Sequence, residues 1–286
     1  MIHPAQWKAL ALRSLRGWID DGASSMGAAI AFYTLLSMAP LLLIVLTIAG
    51  LFFGDEAARG ALHGQLAQLV GADGAAAIEG ILGNAGDLAG GLVSLLVGVL
   101  TLFIGATTVF AELQTDIDRI WKVQAPRGAG VLGYLRQRLM SFGVILGVGF
   151  LLMVSLVVSA VIAALGSLWE RWWFGTELLL QLLNFALGFA LITALFALIY
   201  KLLPSRRIAW SDVWVGAAVT SLLFGIGKFL IGLYLGKAAI ASSFGAAGAL
   251  VVVIVWVYYS AQTFLLGAEF TYQYARSHGS LAPGTT

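Results

Sequence analysis

Six long, nearly unbroken apolar runs constrain this chain more than any other feature: about 27–53, 88–111, 139–166, 177–200, 213–235 and 247–270. A helix needs ~20 mainly apolar residues to cross a ~30 Å hydrocarbon core, and every run reaches that length. None shows the period-two alternation of a barrel strand, and all are too continuous for one. Composition points the same way, with 60% hydrophobic and only 10% charged residues, where a soluble domain carries about 25% charged. The fold class is therefore an all-α polytopic membrane protein with six transmembrane helices. Residues 1–26, with Trp7, Lys8, Arg13, Arg16, Asp20 and Asp21, do not read as a cleavable signal but as a cytoplasmic N-terminal segment. A six-helix domain over 27–270 follows, then a cytoplasmic tail over 271–286, of which Ser277 to Thr286 reads as disordered.

Orientation follows from Lys and Arg. With the N-terminus inside, the inner segments hold Lys8, Arg13, Arg16, Arg119, Lys122, Arg127, Arg136, Arg138, Lys201, Arg206, Arg207 and Arg276. The outer segments hold Arg59, Arg171 and Lys237, and Lys228 lies within a span. This bias predicts a multi-pass protein of the bacterial inner (plasma) membrane with both termini cytoplasmic. The outer segment 54–87 repeats Leu62, Leu66, Leu69 and Val70, then Ile78, Ile81 and Leu82 after a break at Gly71–Gly74. That spacing predicts two short amphipathic helices on the outer leaflet or capping the bundle; a solvated loop is the alternative. The second span is expected to continue as a polar helix to about Trp121 and to break at Pro126 and Gly128.

Polar residues in the spans fall on single faces. Thr101, Gly105, Thr108 and Glu112 form one stripe, and Gln181, Asn184 and Gly188 another. Ser221, Gly225, Lys228 and Gly232 share a face, as do Tyr258, Gln262 and Glu269. The first span contributes Tyr33, Ser37 and Pro40; Pro40 frees the Leu36 carbonyl, which predicts a kink, with Ser37 or a water as the compensating donor. Small and polar stripes serve tight helix packing, or they line a polar cavity. The cavity reading makes Lys228, Gln262, Tyr258, Thr101, Thr108, Asn184, Tyr33 and Ser37 substrate-binding candidates.

Lys228 is ~15 residues into its span, hence ~22 Å from the cytoplasmic end. Its ammonium either snorkels to the outer headgroups or, on a face shared with Gly225 and Gly232, stays inside and attracts an anion. Glu112 and Glu269 end their helices near the inner boundary, with Arg119 a turn or two beyond Glu112. These three are the candidates for a cytoplasmic gate or coupling group.

Enzyme chemistry finds no motif. The histidines His3, His63 and His278 are scattered, and there is no H-E-x-x-H, P-loop or G-x-S-x-G. The absence of Cys removes disulfides and thiolate chemistry. The sequence thus predicts no enzyme, catalytic residue, metal or cofactor. Inner basic residues are explained by topology, so no nucleic-acid partner is expected.

Several motifs resemble one family. Ala31-Phe32-Tyr33-Thr34-Leu35-Leu36-Ser37-Met38-Ala39-Pro40-Leu41 is similar to the first-span signature of the YihY/BrkB family of bacterial inner-membrane proteins. Asp118-Arg119-Ile120-Trp121, Gly245-Ala246-Ala247-Gly248, Tyr258-Tyr259-Ser260-Ala261-Gln262 and Gly267-Ala268-Glu269-Phe270 match it in order, over about 20–275. Glu112-Leu113-Gln114-Thr115-Asp116 departs from it in being more acidic. The resemblance implies six spans, links to serum resistance and virulence, and a transporter role toward lipid-type substrates. It also carries the label ribonuclease BN, a mistaken assignment with which the missing catalytic cluster agrees. No established substrate site comes with it.

The expected function is a transporter or flippase-like protein that moves an amphiphilic or anionic lipid-type substrate along the polar seam, with membrane lipids as partners. The alternative is a non-transporting envelope interaction protein acting through 54–87. Gly-rich faces would serve a homo-oligomer as readily as the bundle itself.

Overall fold

The computed structural model describes residues 4–54, 56, 60, 92–123, 177–237 and 240–282. Six helices account for almost all of them: α1 Pro4–Asp20, α2 Ala23–Phe53, α3 Leu92–Ile120, α4 Glu177–Leu202, α5 Trp210–Lys237 and α6 Ile240–His278. There is no strand among the described residues. α2 to α6 contain most or all of five of the apolar runs, and α3 carries the polar extension of its run to Ile120. The run 139–166 lies outside the described residues, as does the segment 54–87 apart from Gly54, Glu56 and Gly60. Two 18-residue windows among the described residues, Phe185–Leu202 and Trp210–Gly227, are long and apolar enough to cross a membrane.

Helix ends follow local chemistry. α1 opens with Pro4, whose missing N–H is no loss in a first turn. It closes at Gly22, which takes φ +74° while its N–H donates to the Ile19 carbonyl at 3.0 Å. α3 closes without glycine. Lys122 takes φ 54°, the Val123 N–H reaches back to the Asp118 carbonyl (2.8 Å), and the Lys122 N–H reaches that of Arg119 (3.1 Å). This is a Schellman motif with lysine at the left-handed position, where glycine is the low-strain residue. α4 ends just before Pro204, which cannot extend it. At the start of α5, the Asp212 carboxylate accepts from the N–H and the hydroxyl of Ser280, both at 2.7 Å. The Ser280 hydroxyl in turn accepts from the Ala209 N–H at 3.2 Å. The expected disordered tail is thus corrected for its first residues: Ser277 and His278 complete α6, and Ser280 is pinned to α5 by a buried carboxylate.

The described chain divides into two units. The first gathers α1, the end of α3, α4, α5 as far as Gly225 and α6 from Thr263. Its centre is Tyr200, fully buried, whose hydroxyl donates to the Phe264 carbonyl (2.7 Å) and shares a hydrogen bond with Thr220 (3.1 Å). The Phe264 ring lies 5.2 Å from that of Tyr200, and Phe196 packs on both. The second unit takes α2 from Ser24, α3 to Glu112, α5 from Ile226 and α6 to Gln262. In it Phe229 and Phe32 are 66% and 62% exposed, a burial pattern that suits lipid rather than water.

Gly267 is what allows the Tyr200 and Thr220 hydroxyls to meet α6. A methyl group there would overlap the Thr220 hydroxyl and stand 2.6 Å from that of Tyr200. Gly267→Ala is therefore expected to lower stability in detergent by ~1–3 kcal/mol, the usual effect of overpacking. Gly225→Ala, where nothing lies within 4 Å, should leave the melting temperature unchanged or slightly higher. Thermal unfolding followed by gel filtration distinguishes the two.

Candidate functional site

In the second unit, polar side chains of the spans meet the glycines of neighbouring helices. Gln262 on α6 lies against Gly27 on α2, with the Tyr258 ring beside it. Ser37 on α2 lies against Gly105 on α3, and the Tyr259 hydroxyl on α6 lies against Gly227 on α5. At each crossing a Cβ on the glycine would collide with the polar group. Glycine admits the helices closely enough for an amide or hydroxyl to rest on a neighbouring backbone, which is how polar groups are kept from acyl chains.

These contacts distribute the sequence candidates unevenly. Gln262, Tyr258 and Ser37 are half-buried at helix crossings, and Tyr33 and Thr108 are half-buried as well. Thr101, Asn184 and Lys228 belong to α3, α4 and α5, with side chains outside the described set. α2 is helical on both sides of Pro40, whose ring is also outside that set. The Ser37 hydroxyl does not serve the Leu36 carbonyl. It donates to Tyr33 (2.8 Å), as Thr34 does to Ile30 (2.7 Å), because a hydroxyl on a helix reaches back one turn. The expected packing face of α5 holds at Ser221, which is buried, but not at Gly225. Gly225 is exposed with nothing within 4 Å, whereas Gly227 is buried under Tyr259. By register, residue 228 lies on the same helix face as Ala217 and Ser221, both buried.

In the first unit the candidate Glu269 is a hub. Its side chain is 1% exposed, and Oε1 accepts from the Gln273 amide at 2.7 Å. The carboxyl fits against α1 only because residue 17 is glycine. One turn on, Asp21, just past the end of α1, is ion-paired with Lys122 at the end of α3. The left-handed backbone of Lys122 thus belongs to a lysine whose ammonium is fastened to another helix. Trp121 is fully buried, and its indole N–H donates to the Ala268 carbonyl at 3.1 Å, next to Glu269. Glu269 Oε2, Asp21 Oδ2 and Trp18 Nε1 are buried without a hydrogen-bond partner among the described residues, so this region holds both acceptors and a donor in reserve. The other two gate candidates do not join it: Glu112 is half-buried, and Arg119 is exposed with no ion pair among the described residues.

The turn 203–209 between α4 and α5 is fastened to the same unit. Asp118 accepts from the Ser205 N–H (2.8 Å) and hydroxyl (2.6 Å), and Arg206 reaches the Trp121 carbonyl at 3.4 Å. Sequence reasoning missed Trp121, Asp118, Gly17 and Asp212 as structural keys. Trp121 was read as the end of a polar helix and Asp118 as part of a family-like motif, and neither reading gave the partner it holds. Gly17 shows its purpose only beside Glu269.

The family model described as Virulence factor BrkB matches residues 14–285. The chain belongs to this family. It is 26% identical over 260 residues to a UPF0761 membrane protein of Alteromonas mediterranea, an alignment covering 88% of this chain and 83% of that one. It is 28% identical over 264 residues to a UPF0761 membrane protein of Rhodospirillum centenum, covering 90% of this chain but 55% of the relative. A UPF0761 membrane protein of Verminephrobacter eiseniae is 28% identical over 271 residues, with 93% and 62% covered. The chain therefore spans little more than half the length of some of its relatives. No solved structure matches it. As a member of the BrkB family this chain is an integral membrane protein, which is the setting its glycine–polar crossings require.

Gly17 and Glu269 supply a test with a defined sign. Gly17→Ala places a methyl group on the carboxyl and is expected to cost ~1–3 kcal/mol of stability. Glu269→Ala removes the obstruction, so the double variant should be more stable than Gly17→Ala alone. Thermal unfolding of the four proteins in detergent closes this cycle.

Proposed function

We propose that this chain is a multi-pass protein of the bacterial inner membrane, both termini cytoplasmic, that moves an anionic amphiphile of lipid type along the polar seam between its helices. The inward seat of Gln262 against Gly27, repeated by Ser37 against Gly105, carries this reading. Two polar side chains from different spans thus sit at crossings where parting the helices would free them.

The orientation draws support from the four segments that the Lys and Arg count assigns to the inside. α1 is tied to the end of α3 by Asp21 and Lys122, α3 to the turn by Asp118 and Ser205, and the tail to α5 by Ser280 and Asp212. Segments on opposite sides of a bilayer could not bond in this way.

In the arrangement described, the crossings are closed by glycine contacts. Passage of an amphiphile then requires α2 to part from α3 and α6, releasing Ser37 and Gln262 to the substrate. Lys228 attracts the anionic headgroup, with Thr101, Thr108, Tyr33 and Tyr258 of the same unit as the groups that line its route. Glu269 is the coupling group, since its free oxygen can take a proton without breaking its bond to Gln273.

The test is translocation of a fluorescent phosphatidylglycerol in reconstituted vesicles. Lys228→Ala and Lys228→Met should each slow it by about ten-fold, equivalent to ~1.4 kcal/mol of lost interaction, and should reduce co-purifying anionic lipid measured by mass spectrometry. Exposed Phe229→Leu should change neither. Unaltered translocation and lipid content in both Lys228 variants would overturn the proposal.

A further inference from the structure

α1 carries two stripes that point in nearly opposite directions. The first is Trp7, Leu10, Ser14, Gly17 and Asp21, at steps of 3, 4, 3 and 4. This stripe faces the protein. Leu10 and Ser14 are buried, Trp7 stacks on Phe270 and Tyr274, Gly17 seats Glu269, and Asp21 pairs with Lys122. The second is Lys8, Leu12, Leu15 and Ile19, at steps of 4, 3 and 4, roughly 150° around the helix. It faces away. Leu12, Leu15 and Ile19 are 47%, 45% and 61% exposed. Arg13 and Arg16, also exposed, lie on the arc beside this strip with the single acid Asp20.

A helix already anchored through one face gains nothing in water from an apolar strip on the other, since each such side chain is worth ~1.5–3 kcal/mol when buried. In an integral membrane protein, the surface of its own bilayer is available to cover that strip. The charges agree, with three cations against one acid around it. α5, in the same unit, begins with Trp210 and Trp214, both exposed and one turn apart, and indoles of this kind favour headgroup depth.

We infer that α1 is an amphipathic helix lying in the membrane plane, with Leu12, Leu15 and Ile19 at the acyl boundary and Lys8, Arg13 and Arg16 on anionic phospholipid headgroups. Which leaflet it occupies rests on the proposed orientation. Its seat in the interface does not, and neither depends on transport. The opposite stripe then fixes this surface helix to Glu269 and Lys122, so α1 joins the lipid surface directly to the buried carboxyl.

Because the chain has no Cys, one reporter can be placed at a time. Full-length Leu15→Cys and Arg13→Cys proteins carry an NBD fluorophore in nanodiscs of phosphatidylcholine with or without phosphatidylglycerol. The Leu15→Cys label should be quenched by doxyl-bearing lipid and shielded from iodide, and the Arg13→Cys label should show the reverse. Iodide quenching both labels equally would overturn the inference, and so would a Leu15→Cys label shielded from both quenchers, which would mean protein covers the strip. Adding Lys8→Glu and Arg16→Glu should reduce doxyl quenching by about two-fold in discs with phosphatidylglycerol and little in those without, as expected for cations near an anionic surface. An equal effect in both lipids would overturn the assignment to anionic headgroups. A melting temperature within the parent's range confirms that each labelled variant is folded.

Discussion

The close approach of a glycine backbone to a polar side chain on the next helix is the interaction from which the rest of this structure follows. Lipid offers helices no hydrophobic reason to associate, because acyl chains are as apolar as leucine. It also offers polar groups no water, so amides, hydroxyls and carboxyls must find protein partners. Placing a polar side chain opposite a glycine meets both demands. The missing Cβ brings the helices together, and the polar group rests on backbone instead of hydrocarbon. Gln262 with Gly27, Thr271 with Gly216 and Thr220 with Gly267 are instances on three pairs of positions.

The same contact puts limits on mechanism. A crossing closed by glycine is tight, but nothing is interlocked across it, so parting the helices exposes one polar group and a smooth backbone. That is a property suited to a seam that opens and closes. The first unit adds to its glycine contacts a set of long-range bonds, through Trp121, the Asp21–Lys122 pair and the Tyr200 hydroxyl. Bonds of this kind hold α1, the end of α3 and α6 together while leaving a carboxyl oxygen of Glu269 in reserve.

Much of this was legible in the sequence, and the gaps have physical causes. Helices α2 to α6 were written in uninterrupted apolar length, which needs no knowledge of partners. The polar stripes were legible as stripes, but their partners were not: a glycine's role depends on what stands opposite, so Gly225 was singled out while Gly227, which lies under Tyr259, was not. α1 was missed because it is too short and too charged to register as a membrane-spanning apolar run, although Leu12, Leu15 and Ile19 recur at helical spacing. The ordered start of the tail escaped notice because Ser280 is held by Asp212, 68 residues away, a contact that composition cannot announce.

The most direct measurement of the central claim uses the absence of native Cys. A Cβ at Gly105 would lie 3.0 Å from that of Ser37, close to the ~3.5–4.5 Å span of a disulfide. Oxidation of a Ser37→Cys, Gly105→Cys protein in native membranes should therefore give a rapid intramolecular cross-link, while Ser37→Cys paired with Leu100→Cys, an exposed position, should give none. Free thiols at both 37 and 105 after oxidation, open to a membrane-permeant maleimide, would contradict the account.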